Sequence, residues 1–198
     1  MLAHNHGQLL NGSKLGRSLG VSHSTIRRYL DILRETFMVR LLPPYLANTK
    51  KRQVKAPKTY IRDSGLLHSL LGIPDLEALL AHPIVGSSWE GFAIEQVLHH
   101  SKANPRHCFF WATHTGAELD LLVEPPSGLL GFAFRRSLAP KRSRSMGTAL
   151  ETLGLKKLNV VYPGNQSFPL GPGIMARPLQ DYFRPPNEGA ASSDTHPE

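Results

Sequence analysis

Apolar positions near the start of the chain recur at helical spacing. In GSKLGRSLGVSHSTIRRYLDILRETFMV, Leu15 and Leu19 make a short stripe that Gly20 ends, and Ser22 stands where a helix N-cap belongs. A second helix is predicted to follow, with Ile26, Leu30, Leu33 and Phe37 on one face and Arg27, Arg28, Asp31 and Arg34 on the other. The next stretch, FMVRLLPPYLANTKKRQVKAPKTYIRD, alternates loosely and breaks at Pro43 and Pro44. It places Lys50, Lys51 and Arg52 in a turn between two strand-like pieces. Further on, GSSWEGFAIEQVLHH returns to helical spacing through Trp89, Phe92, Ala93, Gln96 and Val97, with Glu90 and Glu95 on its sides. HCFFWATHTGAELDLLVE then reads as two antiparallel strands around His114-Thr115-Gly116. Alternation groups Leu119, Leu121 and Val123 on one face and leaves Asp120 on the other. In LLGFAFRRS the same rule separates Phe132 and Phe134 from Ala133 and Arg135, and SMGTALETLGLKKLNVVYPG predicts a helix followed by a strand. The expected fold class is α+β: a winged helix-turn-helix over residues 1–66, then a small α/β domain with a mixed central sheet over 67–183. From Arg184 the chain has almost nothing apolar to bury, and 184–198 is expected to be a disordered tail.

Charge sharpens this division. Residues 1–66 hold 12 Lys+Arg and 3 Asp+Glu, a balance of +9, whereas 67–198 hold 11 and 12, a balance of −1. Such asymmetry points to a polyanion-binding module joined to a near-neutral one. Two short helices joined by Gly-Val-Ser, with small polar and basic residues opening the second, suit a helix that offers its N-terminal residues to base edges. Ser22, His23, Ser24, Arg27 and Arg28 are the candidate DNA contacts there, and Lys50, Lys51 and Arg52 the candidate phosphate contacts of a wing tip. A protein-protein or interdomain role for the same module is the alternative.

Composition closes off other classes. The single cysteine, Cys108, cannot form an internal disulfide, the N-terminus lacks a secretory layout, and no apolar run approaches the ~20 residues of a membrane span. A cytoplasmic protein without membrane partners is expected. His99, His100, His107, Cys108 and His114 cluster in sequence, but the spacing of a zinc site is missing, and so is G-x-S-x-G. No metal or cofactor is expected.

The ordered series LAHNHGQLLNGSKLGRSLGVSHSTIRRYLDILRETFMVRLLPPY, KRQVKAPKTYIRDSGLLHSLLGI, GSSWEGFAIEQVL and TGAELDLLV resembles the C-terminal half of a prokaryotic AAA+ ATPase family. In that family a nucleotide-binding domain precedes a winged helix and a domain of unknown function similar to PD-(D/E)xK nucleases. The resemblance covers roughly residues 2–183. The chain contains no G-x-x-x-x-G-K-[ST], so ATP binding by a P-loop is not expected, and an ATPase domain becomes a candidate partner.

The nuclease resemblance implies a helix Glu, a strand Asp and a Glu-x-Lys strand around Mg²⁺. Glu90 then matches the helix acid and Asp120 the strand acid, while Ala133 replaces the second acid and Arg135 the lysine. Ala133 offers no ligand oxygen, and the Arg135 guanidinium suits an ion pair with Asp120 or Glu90 better than a metal site. The expectation is a degenerate nuclease-like domain and a non-catalytic, DNA-associated module. A weak Mg²⁺-dependent nuclease using Glu90, Asp120 and a displaced acid, Glu118 or Glu124, is a further alternative.

Overall fold

The computed structural model describes residues 1–46 and 54–183. After a 3-10 turn at Ala3–Asn5 come strand β1 (Gln8–Leu9), helices α1 (Gly12–Leu19) and α2 (His23–Glu35), and strands β2 (Val39–Leu42) and β3 (Lys58–Ile61). Gly20 closes α1 in the left-handed region, at φ 67°, where a side chain would be strained. Ser22 caps α2 as the sequence suggests, its hydroxyl accepting from the Thr25 amide at 3.1 Å. Leu15, Ile26 and Leu30 form the small core between the helices. The helical stripe ends earlier than its spacing suggests. Phe37 lies beyond α2 with a left-handed φ of 59° and is 72% exposed, and Leu19 is 52% exposed. β3 is the middle strand of a three-stranded antiparallel sheet ordered β1-β3-β2, and all its residues are buried. The short partner β1 carries no alternating pattern, and sequence reading missed it.

Helices α3 (Ser64–Leu70) and α4 (Leu76–Ala81) follow, capped by Asp63 and Asp75. Then come α5 (Val85–His100), β4 (Cys108–Ala112), β5 (Glu118–Val123), β6 (Leu130–Phe134), α6 (Arg144–Leu153), β7 (Leu158–Tyr162), β8 (Phe168–Gly171) and β9 (Ile174–Pro178). The six strands from β4 onward form one mixed sheet ordered β4-β5-β6-β7-β9-β8. β6, β7 and β9 run parallel, and the remaining pairs are antiparallel. α5 covers one face, where Ala93, Ile94 and Val97 meet Leu121, Val123, Phe132 and Phe134. α6 covers the other, where Met146 and Ala149 meet Leu119, Leu122, Ala133 and Val160. The architecture is α+β, and among the described residues no helix is long and apolar enough to cross a membrane.

The alternation expected of β5 does not hold. Phe109 pairs with Leu122 and Trp111 with Leu119, so Phe110 faces both Asp120 and Leu121. This β-bulge inserts one residue into the strand and resets which side chains face which way. Leu121 and Val123 pack toward α5, while Leu119 is parted from them and packs toward α6.

Candidate functional site

α2 carries the first candidate surface. Ser22, His23, Ser24, Arg27 and Arg28 are all exposed, and Ser24, Arg27, Arg28, Ile32 and Glu35 line an open groove of about 450 Å³. The Ser22 hydroxyl lies 2.8 Å from the hydroxyls of Ser24 and Thr25, which orders the first turn. Positive charge belongs to the N-terminal half of the helix. Farther along, Arg34 pairs with Asp31 at 3.3 Å and Glu35 offsets the remainder. Tyr29 and Ile32 are also exposed, at 51% and 49%. Lys50, Lys51 and Arg52 lie outside the described residues, as does the tail from Arg184.

The second candidate is a buried ionic cluster at the junction of β3, α5, β5 and β6. Glu90 stands on α5, and its Oε1 accepts from Lys58 Nζ at 3.2 Å and from the Tyr60 hydroxyl at 2.5 Å. Lys58 also pairs with Glu118 at the start of β5. The bulge sets Asp120 close enough for its charge to act on Lys58, Tyr60 and Glu90. Asp120 Oδ2 accepts from the Phe134 amide at 2.8 Å and from Arg135 at 3.0 Å. Burial, aided by the Asp120 charge, pushes the Glu90 carboxyl up to about 6 against the pull of Lys58 and Tyr60. Burial and the Glu90 carboxylate raise the Tyr60 hydroxyl well above its ordinary value. For Lys58 burial disfavours the ammonium, but Glu90, Glu118 and Asp120 together overcome it and hold the pKa above the usual lysine value. One turn along α5, Glu95 accepts from Arg40 and, at 2.9 Å, from Arg62. Burial opposes its charge, yet the two guanidinium groups hold its carboxyl below the usual range.

These contacts place the residues singled out by sequence. Glu90, Asp120 and Arg135 meet at one site, and Arg135 pairs with Asp120 as its chemistry suggests. Ala133 does not stand among them: it packs on the α6 side of the sheet, and the residues of β6 facing α5 are Phe132 and Phe134. Glu118 joins the cluster through Lys58, whereas Glu124 is 3.8 Å from His107. Cys108 is buried, and burial pushes its thiol up to about 11. Among the described residues no three or more His, Cys, Asp or Glu side chains gather as a metal site would require. The residues here therefore do not fit the Mg²⁺ of a PD-(D/E)xK site. An ammonium lies among the acids, and Asp120 is taken up by an amide and a guanidinium. Sequence reading missed Lys58 and Tyr60. Their one signal was a polar residue in a strand buried on both faces, visible only once β3 is known to be the middle strand.

Residues 1–77 match the model of a domain of unknown function, DUF8612, and residues 85–182 match a second domain of unknown function, DUF4143. The uncharacterized protein Rv2008c of Mycobacterium tuberculosis (strain ATCC 25618 / H37Rv) is 50% identical over 178 residues. The uncharacterized protein Mb2031c of Mycobacterium bovis (strain ATCC BAA-935 / AF2122/97) is equally similar. Each alignment covers 90% of this chain and 40% of the relative, so the chain spans well under half the length of these curated relatives. No solved structure matches the chain significantly. Along its length the chain is thus similar first to DUF8612 and then to DUF4143, in the order in which its two sheets follow one another.

Proposed function

We propose that the chain is a non-catalytic DNA-binding module in which a winged helix presents α2 to duplex DNA and a degenerate PD-(D/E)xK-like domain serves as its scaffold. On this reading it corresponds to the C-terminal half of an AAA+ ATPase, and its longer relatives carry the ATPase elsewhere in their length. The observation that carries the reading is the N-terminal half of α2. Ser24, Arg27 and Arg28 stand exposed around a capped helix start, and among the described residues neither arginine has an acidic partner. The +9 balance overstates the available charge, because Arg40, Lys58 and Arg62 are spent on Glu95, Glu90 and Glu118. Lys14, Arg17, Arg27 and Arg28 remain exposed on α1 and α2. The nuclease-like cluster supports a structural role, since every acid in it has a cationic partner or a hydrogen-bond donor of the chain itself.

Phosphate contacts make affinity fall steeply with salt. Arg27→Ala with Arg28→Ala is expected to weaken binding of a labelled duplex by about tenfold or more at low salt and to flatten the salt dependence. Fluorescence anisotropy checks both. Unchanged affinity in the double variant would transfer the reading to a protein-interaction module, which the exposed Tyr29 and Ile32 on the same helix favour.

A further inference from the structure

We infer that the loop between β6 and α6 is a second, sequence-independent contact surface for the nucleic-acid backbone. The inference rests on the DNA-binding reading but uses residues outside α2. Between Glu124 and Glu151 the chain carries no acid and five cations, Arg135, Arg136, Lys141, Arg142 and Arg144, although residues 67–198 as a whole balance at −1. The structure separates these five. Arg135 is held by Asp120 and by the Phe134 carbonyl. Arg136, Lys141, Arg142 and Arg144 are exposed, and among the described residues none makes a side-chain hydrogen bond or ion pair. At the junction of the two sheets the cations Arg40, Lys58 and Arg62 are matched by glutamates, whereas these four charges within nine residues of the loop are not. Repulsion among them favours an external polyanion.

The loop is also shaped before any ligand arrives. Arg135 ties its first residue to β5, and the Arg135 amide donates to the Val161 carbonyl at 2.9 Å. The Ala139 amide donates to the Ser137 hydroxyl, Pro140 is buried, and Ser143 caps α6. Arg142 lies across two glycines. A Cβ on Gly147 would stand 3.2 Å from its Nη2, and one on Gly171 would stand 3.4 Å from its Nη1. Ordering these side chains on a fixed loop lowers the entropy cost of phosphate binding. Three of the four are arginines, whose planar forks match phosphate oxygens.

The loop opens at the carboxyl ends of the parallel strands β6 and β7, the end at which open α/β sheets take ligands. At its first residue the loop joins the ionic cluster, where Arg135 pairs with Asp120 and, two residues before it, Glu118 pairs with Lys58. An anionic bilayer is the competing polyanion, because Leu138 in the loop is 74% exposed.

The test is the triple variant Arg136→Gln, Lys141→Gln, Arg144→Gln, which spares Arg142 because of its packing on the two glycines. With a labelled duplex of arbitrary sequence, low-salt affinity is expected to fall about tenfold or more, and the slope of log affinity against log salt to fall by about three. Unchanged affinity and slope in a variant that melts like the native chain overturn the inference, whatever Arg27→Ala with Arg28→Ala does. Loss in the loop variant alone, with the α2 variant unaffected, retains the loop and removes the α2 reading. A measurement on the native chain guards against misfolding: duplex should protect Lys141, but not the exposed Lys156, from acetylation read by mass spectrometry. An unprotected Lys141 under saturating duplex overturns the inference. So does native protein that binds phosphatidylserine vesicles but not duplex at low salt.

Discussion

His6 is the residue whose surroundings leave it least freedom. Its Nδ1 accepts from the Ile61 amide at 3.0 Å, so Nε2 carries the proton and donates to the Ser87 carbonyl, also at 3.0 Å. A second proton would have to sit on Nδ1, against an N–H. Burial lowers the pKa to about 4. Because the unfolded chain binds this proton near 6.5 and the folded one does not, the contribution of His6 is full above about 6.5 and fades as pH falls toward 4. Its size is about 3 kcal/mol, reckoned from the shift alone. Urea titrations of the native chain and of His6→Asn between pH 7 and pH 4 should therefore converge at the acid end. A constant gap between them would show that His6 is not neutral in the fold. Gly91 belongs to the same arrangement, since a Cβ there would lie 2.6 Å from His6 Nε2 and 3.2 Å from the Tyr60 ring. Nothing in the spacing of SSWEGFAIE marks that glycine as a packing necessity.

At the scale of elements, α5 is the helix that packs against both sheets. Six of its sixteen residues are fully buried and only Gly86 and His99 are exposed, one side facing the mixed sheet and the other β2, β3 and α3. Its two glutamates meet three side chains of the N-terminal sheet and one just beyond β3: Lys58 and Tyr60 at Glu90, Arg40 and Arg62 at Glu95. Helical periodicity in GSSWEGFAIEQVLHH foretold the helix and set these acids on its sides, but it could not say that the sides were covered. Removing one partner of a buried ion pair leaves an uncompensated charge, which costs more than the pair contributes. Glu95→Gln, which strands Arg40 at 12% side-chain exposure, is expected to destabilise the chain by roughly 3 kcal/mol in urea denaturation at neutral pH. A change within ~0.5 kcal/mol, the range of ordinary surface substitutions, would mean that water already screens the pair.

For the whole molecule, the reading as a scaffold without nuclease chemistry predicts that supercoiled plasmid stays supercoiled during incubation with the protein and Mg²⁺ or Mn²⁺. Nicking that disappears in Asp120→Asn, measured on agarose gels, would restore a catalytic role to the cluster. The local features of this molecule were legible in the chain: the Ser22 cap, the Gly20 stop, the α5 and α6 helices, the turn at His114-Thr115-Gly116, and the pairing of Arg135 with Asp120. Each depends on neighbours in sequence or on a hairpin, where periodicity and turn chemistry carry the information. Alternation failed where a bulge intervened. One inserted residue parted Leu119 from Leu121 and turned Asp120 toward Lys58, a change that pairing against β4 decides and composition does not record. Lys58 and Tyr60 lie 32 and 30 residues before Glu90 and became its partners only when β3 took the middle of its sheet. Sequence alone determined which residues could be charged and which segments could be helices or strands. Tertiary structure decided which charges were matched internally and which were left to solvent, because an ion pair depends on distance in space and the chain specifies only distance along itself.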